Sequence, residues 1–429
     1  MLYLLSILLV TYCILIFTRN YKYGYKTNKD YLYNLNNNKI TDLNITYNTI
    51  NLPDDISEYD TLFLKISLSL NPMSILFKPY IKIEETKHYF EYMAKGIRYL
   101  NISHVKNTKL ELKLHHIIFS DEKSTLYGYK NHIKTDENIL ILAPHADDAE
   151  IASFGLYKKF KNITIVTTTI GENGACNYCD IYNNNKAKQT IKKAELRTFD
   201  ALNIPLLGNI NRENCLTLGY YGGSLQWMQK NQNSIYEPQV KINLNNYRHV
   251  THSIINLAQY TEPTYKHFLN DLQIIIKNIK PSIIITAHPN IDSHSDHQQT
   301  TIAAIEALQE LNMNAKLLLY TNHLQTSETY PIGPIGSSIT LPPNFKDFYF
   351  DSIYSFELDK DLQLDKFFAL EAMHDLRDSL VFVNIKRAYK HLSKMIRRKI
   401  AGKDKNYYKR AIRLNELFFV IDNKNITKL

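Results

Sequence analysis

The sequence predicts an α/β protein built on an open, mostly parallel, Rossmann-like sheet, preceded by an all-β, sandwich-like domain and an N-terminal membrane anchor. Three observations carry this expectation. From Asn138 onward short apolar runs alternate with helical stretches, residues 31–135 hold several strands with no helix between them, and Met1 to Thr18 carry no charge.

The uncharged N-terminal segment is long enough for a membrane span, near the lower limit of ~17 residues. It lacks the basic start and small-residue end of a cleaved signal peptide. Arg19, Lys22, Lys26 and Lys29 follow it, and basic flanks stay in the cytoplasm. The expectation is therefore an anchor at 1–18, a basic juxtamembrane linker at 19–30 and a body on the cytoplasmic face of the membrane.

In the next stretch, Thr61 to Leu70 and Thr108 to Leu114 alternate with period two, and Tyr80 to Glu84 and His88 to Met93 add short runs. These predict a β-rich accessory domain at 31–135. Ile139 to Ala143 and Ile163 to Thr169 are then continuous apolar or β-branched runs, as in strands buried on both faces of a parallel sheet. Helices are expected over Lys186 to Leu202, His267 to Ile279 and Gln298 to Leu311, with a strand at Ser282 to Thr286. This α/β domain is placed at 136–380, and its ligands should collect at the carboxyl ends of its strands.

Length and composition agree. The 429 residues allow two or three domains, and 44% hydrophobic with 22% charged residues excludes wholesale disorder and a polytopic membrane protein. The net charge of +9 is local: of 51 Lys and Arg, 11 fall between Lys386 and Arg410 against the single Asp404, leaving the remainder near neutral. That segment, in a helical region at 381–429, spaces Tyr389, Leu392, Met395, Ile396 and Ile400 as a helix would. It reads either as a helix on an anionic membrane surface or as one packed on the body with a solvated basic face. No nucleic-acid partner is expected, because no aromatic platform accompanies the charges. Cys176 and Cys179 have C-x-x-C spacing but no second pair to complete a structural zinc site, so loop thiols or a local disulfide is the default.

Two clusters carry chemistry. Ala143-Pro-His-Ala-Asp-Asp148 follows one strand directly, and Ser293-His-Ser-Asp-His297 follows another within a few residues, with His288 and Asp292 nearby in the same loop. Neutral imidazole and carboxylate suit Zn²⁺, and two His with one carboxylate leave an open position for water. Taken alone, a His beside two Asp is more often an exposed loop; two such clusters at equivalent strand ends point to a site.

These motifs resemble the PIG-L/LmbE family of metal-dependent N-deacetylases. The match runs over about residues 138–380 and includes His145-Ala-Asp-Asp-Ala-Glu150, Thr169-Ile-Gly-Glu172, Lys192-Lys-Ala-Glu-Leu196, Leu218-Gly-Tyr220, and Lys280-Pro281 followed by His294-Ser-Asp-His297. The resemblance implies an LmbE-like sheet in which His145, Asp148 and His297 hold Zn²⁺, or another divalent metal such as Fe²⁺. It implies Asp147 as the general base and His294 as the group that stabilises the oxyanion or protonates the leaving amine. Departures from the family pattern, Lys192 for an Arg and Gly222 for an Asp that holds substrate hydroxyls, bear on substrate rather than reaction. His323 and the stretch from Pro331 to Pro343 read as cleft lining or as an ordinary long loop.

The expected function is a zinc-dependent hydrolase removing the N-acetyl group from an N-acetylhexosamine in a lipid-linked glycan, lipopolysaccharide or surface-polysaccharide precursor. The alternative is a non-catalytic, membrane-anchored glycan-binding protein. The sequence leaves the oligomeric state open.

Overall fold

The structure is a computed structural model. It describes the chain except residues 1, 175–178, 260–261, 326 and, within 377–405, all but 385, 386, 388, 389, 392, 393 and 396. The chain begins with α1 (Leu2–Tyr23). Nine strands follow: β1 (Lys39–Asn44), β2 (Thr49–Asn51), β3 (Thr61–Ser69), β4 (Tyr80–Ile83), β5 (Thr86–Tyr89), β6 (Gly96–Asn101), β7 (Lys109–His115), β8 (Ile118–Phe119) and β9 (Lys123–Tyr129).

These nine strands form two antiparallel sheets, one ordered β1-β9-β3-β6 with β8 beside β3, the other β2-β7-β4-β5. Period-two alternation explains their packing. On β3, Leu62, Leu64, Ile66 and Leu68 face a core shared with Ile81, Ile83, Leu110 and Leu112 of the second sheet. The opposite face is buried in part, with Lys65, Ser67 and Ser69 half-buried. Phe63, Tyr99, Tyr127 and Tyr129 pack in one cluster with Leu140, Leu142 and Phe419 of the α/β body. Buried Asn101 and Asn131 tie this junction, donating to the Ile339 carbonyl at 3.0 Å and the Ile353 carbonyl at 2.9 Å.

The α/β body comprises β10 (Asn138–Ala143), α2 (Asp148–Lys159), β11 (Asn162–Thr169), α3 (Lys186–Asn203), β12 (Cys215–Tyr220), α4 (Leu225–Asn231), α5 (Tyr265–Ile279), β13 (Ile283–Ala287), α6 (Ser295–Glu310), β14 (Lys316–Tyr320), β15 (Ser352–Glu357), α7 (Lys360–Ala372), α8 (Tyr407–Ala411) and β16 (Asn415–Ile421). Its strand order is β12-β11-β10-β13-β14-β16-β15. The first five strands are parallel, and β16 runs antiparallel to both its neighbours. Both faces are covered, as continuous apolar strands require. Leu140 and Leu142 pack with α5 and α6, whereas Ile139, Ile141 and Ala143 pack with α2 and α7. The chain moves outward from β10 to β12 and then returns to β13 on the other side of β10. A crevice therefore opens between the carboxyl ends of β10 and β13.

β16 lies past the boundary expected at residue 380, so the C-terminal region is not wholly helical and completes the sheet. Its Glu416 accepts hydrogen bonds from the Gly155 and Leu156 amides at 2.8 and 2.9 Å. Those amides follow the break in α2 at Ser153. Buried Lys366 balances the carboxylate at 2.7 Å.

The expected membrane anchor is corrected. Among the described residues no helix is long and apolar enough to cross a membrane. α1 spans Leu2–Tyr23. The helix ends on the body, with Tyr23 buried and its hydroxyl accepting from the Tyr92 amide at 3.0 Å. The single-pass topology and the cytoplasmic face inferred from it fall with the anchor. Most of the basic segment after residue 386, including Met395 and Ile400, lies outside the described residues; Tyr389, Leu392 and Ile396 are exposed. Cys176 also lies outside them, as does the side chain of Cys179.

Candidate metal centre

Five strand ends converge on one point. β10 leads into His145, Asp147 and Asp148; β11 into Gly171 and Glu172; β12 into Gly222 and Gly223; β13 into Asp292 and His294; β14 into Asn322 and His323. The two clusters singled out in the sequence, Ala143 to Asp148 and Ser293 to His297, meet here.

At the centre His145 Nδ1, Asp148 Oδ2 and His297 Nε2 form a triangle with sides of 3.3, 3.1 and 3.2 Å. Ligands held at ~2.0–2.2 Å around a tetrahedral ion lie ~3.3–3.5 Å apart, so the three atoms fit the base of such a site. His294 is also close, its ring centroid 4.6 Å from that of His145, and the three imidazoles can offer nitrogens within 4.8 Å of one another. The tighter triangle with Asp148 is the better fit, because His294 Nδ1 already accepts from the Asp296 amide at 3.2 Å.

The outward nitrogens of both triangle histidines face buried carboxylates. His297 Nδ1 lies 3.2 Å from Asp292 Oδ2, and His145 Nε2 lies 3.3 Å from Asp296 Oδ2. Such partners fix ring orientation and raise ligand basicity. Asp292 is itself anchored, accepting from the His294 amide at 3.0 Å and from the Asn322 and His323 amides at 3.0 and 3.1 Å. Asn322 Nδ2 donates to Asp148 Oδ1 at 2.8 Å, leaving Oδ2 for the triangle.

The electrostatics favour positive charge at the centre. Burial would push the Asp148 carboxyl up, but His297 and His145 hold it well below the usual carboxylate range. Burial likewise opposes charge on His297, yet Asp148 and Asp292 hold its imidazole well above the ordinary value. A site that stabilises positive charge on a buried imidazole is one that a divalent cation can occupy instead.

Asp147 sits at the rim. It is the N-cap residue of α2, but its side chain does not cap the helix. Instead Oδ1 accepts from Arg197 Nη2 at 3.0 Å. Arg197 reaches it from α3 past Gly171, whose φ is +65° and whose position would put a Cβ 2.5 Å from Arg197 Nε. Only a glycine allows that approach.

All five residues expected to carry chemistry, His145, Asp147, Asp148, His294 and His297, thus share one site. His323 joins them, its ring 5.2 Å from that of His297. His288 does not; it is buried edge-on against Phe348 and Phe419. The sequence reading missed the parts played by Asp292, Asp296, Asn322 and Arg197. Asp296 was visible inside His-x-Asp-His, whereas spacing gives no signal for Arg197. Lys192, the expected stand-in for a family arginine, is exposed and pairs with Glu195 on its own helix. Gly222 cannot be replaced by a larger residue without movement, since a Cβ would sit 3.0 Å from Gly171 Cα. Its amide donates to buried Glu172 at 2.9 Å, and the Gly223 amide donates to Asp296 at 2.6 Å.

Fold and site together define the class: an open α/β sheet with a His/Asp cluster at its topological switch point. The chain carries a PIG-L family domain, with residues 140–308 matching the family described as GlcNAc-PI de-N-acetylase. No curated protein matches the chain. Among solved structures it is similar to the zinc-inhibited form of teicoplanin deacetylase Orf2, at 15% identity and TM-score 0.33 over 66% of this chain and 97% of that one. It is also similar to the A40926 pseudoaglycone deacetylase Dbv21, at 15% identity and TM-score 0.34 over 67% and 98%. A third is the 4-carboxy-2-hydroxymuconate hydratase GalB from Pseudomonas putida KT2440, at 11% and 0.29 over 66% and 95%. These likenesses are distant, and the family assignment rests on residues 140–308.

Proposed function

We propose that the protein is a metal-dependent N-deacetylase that hydrolyses the acetamide of an N-acetylhexosamine. The observation that carries this reading is the triangle of His145, Asp148 and His297 with Asp147 beside it, within a de-N-acetylase family domain. His145, Asp148 and His297 would hold the metal, zinc by ligand type, with ferrous iron the other candidate for two His and one carboxylate. When bound, the ion would make water a nucleophile near neutral pH and polarise the acyl oxygen.

The chain's own groups supply the rest. Arg197 holds Asp147 Oδ1, and the other carboxylate oxygen would take a proton from the attacking water. As the carbon–oxygen bond forms, negative charge grows on the acyl oxygen. His294 meets it. Its Nδ1 accepts from the Asp296 amide, so its hydrogen sits on Nε2 and can be donated. Burial and the neighbouring imidazoles push His294 down to about 4, which suits a neutral donor. When the carbon–nitrogen bond breaks, the proton on Asp147 passes to the amine, and acetate and the free amino sugar leave.

The β-rich domain fits an accessory role, since Phe63, Tyr99, Tyr127 and Tyr129 of its five-stranded sheet are buried against the α/β body. The lipid-linked carrier expected from the sequence leaned on the anchor, so the proposal commits to the amino sugar. The test is acetate release from free, oligomeric and glycolipid N-acetylhexosamines by the full chain and by Asp147→Asn. Turnover lost with metal content retained supports the reading; equal turnover in the variant contradicts it.

A further inference from the structure

Beside the candidate centre lies a second cleft, of about 330 Å³, that the reaction above does not use. Its walls come from the end of α1, the segment before β4, the 329–334 loop and α8, so all four fall outside residues 140–308. Four cationic side chains line it: Lys22, Lys78, Lys409 and Arg410. Its remaining lining includes Tyr23 and Tyr89, and no carboxylate.

Like charges gathered in a partly buried cleft repel and lose hydration, and an anion bound among them would offset that cost. Lys78 makes the point most directly. Burial, together with Lys22, Arg413 and Lys409, pushes its ammonium down to about 7. Of the main influences on it, Glu91 alone favours the charged form and weighs least; that carboxylate is buried and paired with Arg98 at 3.2 Å. Lys78 Nζ lies over the Tyr89 ring, 5.8 Å from its centroid.

The cleft is wired to the candidate centre. Arg410 Nη1 donates to Glu328 Oε2 at 2.9 Å, and Glu328 Oε1 lies 3.6 Å from His323 Nδ1. His323 in turn packs against His297 and His294. Tyr407, one turn before Arg410 on α8, packs against His323 at 6.4 Å. One short chain of side chains thus separates the cleft from the atoms expected to bind metal.

We propose that this cleft binds a phosphate group, through the ammonium groups of Lys22, Lys78 and Lys409 with Arg410 at its inner wall. Compact ammonium groups on separate elements suit a multiply charged oxyanion that offers several acceptors at once. The phosphate is either carried by the amino-sugar substrate or a free ion. The first source rests on the deacetylase reading, whereas the binding site itself does not.

The experiment has two arms, both on the full chain. Calorimetric titration of pyrophosphate should give saturable binding, weakened about tenfold or more in Lys78→Gln and in Lys409→Gln. Thermal melts identify a variant that fails to fold, in which case the other decides. Absence of binding, or affinity unchanged in both folded variants, overturns the proposal. The second arm compares acetate release from N-acetylglucosamine 1-phosphate and N-acetylglucosamine. A lower KM for the phosphorylated sugar, lost in Lys78→Gln, assigns the phosphate to the substrate; pyrophosphate binding with equal KM values assigns it to a free ion. Binding lost in the variants with no acetate from either sugar would count against the hydrolase reading while upholding the cleft.

Discussion

Arg197 donates a hydrogen bond from Nη2 to Asp147 Oδ1 at 3.0 Å, joining a helix that follows β11 to the rim of the site that follows β10. An aspartate at a helix N-cap ordinarily accepts from the helix's own first amides. Here the helix forgoes that bond and the carboxylate is aimed by a guanidinium instead. Arg197→Gln should lower kcat about 100-fold while leaving metal content unchanged, because positioning is lost but the ligand triangle is not. Steady-state kinetics with elemental analysis on one preparation checks both halves.

Gly171 is where this arrangement is most sensitive to one added carbon. Gly171→Ala would place its Cβ 2.5 Å from Arg197 Nε at a φ of +65°, so the guanidinium must shift. The expected outcome is a loss of kcat comparable with Arg197→Gln. Because both act through one contact, the double variant should be little worse than either single one, which a double-mutant cycle measures.

Asp292 touches His297 at Nδ1, not at the Nε2 that belongs to the triangle. Asp292→Asn should therefore keep the fold and weaken metal affinity about 10- to 100-fold, read by competition with a chelator. A similar loss is expected for Asp296→Asn through His145, with a larger effect on the loop that its carboxylate also holds through Gly223.

The β-rich domain makes a prediction about pH. His88 and His104 stack at 5.7 Å, and burial pushes His88 well below its ordinary value and His104 down to about 4. With an unfolded value near 6.5, the unfolded chain binds more protons than the folded one between pH 6.5 and 4. Stability is thus full above pH 6.5 and falls as pH drops through that window, by about 3 kcal/mol for His104. Thermal melts from pH 7.5 to 4.5 should show the decline, and a His88→Phe, His104→Phe variant should flatten it.

Much of this architecture was legible because its signals are local. Continuous apolar runs announced β10, β11 and β13, and the His and Asp residues that meet at the centre stand within three residues of one another in each cluster. What could not be read depends on contacts far apart in sequence. Phe63 looks like one more residue of an alternating strand, yet it faces the α/β body rather than water. β16 hides behind a basic segment, and nothing in the spacing of α3 says that Arg197, not Lys192, reaches the site. The N-terminal segment misled for another reason: absence of charge speaks to hydropathy, but not to the burial of Tyr23 against the body.

The central claim is that His145, Asp148 and His297 hold a hydrolytic metal. The most direct measurement is metal stoichiometry and acetate release on the full chain, before and after chelation and re-addition of zinc or ferrous iron, with His297→Ala in parallel. The account predicts about one ion per chain, acetate release that disappears on chelation and returns with metal, and neither property in His297→Ala. Acetate release that survives complete metal removal, or a folded His297→Ala protein that binds metal as the wild type does, would contradict it.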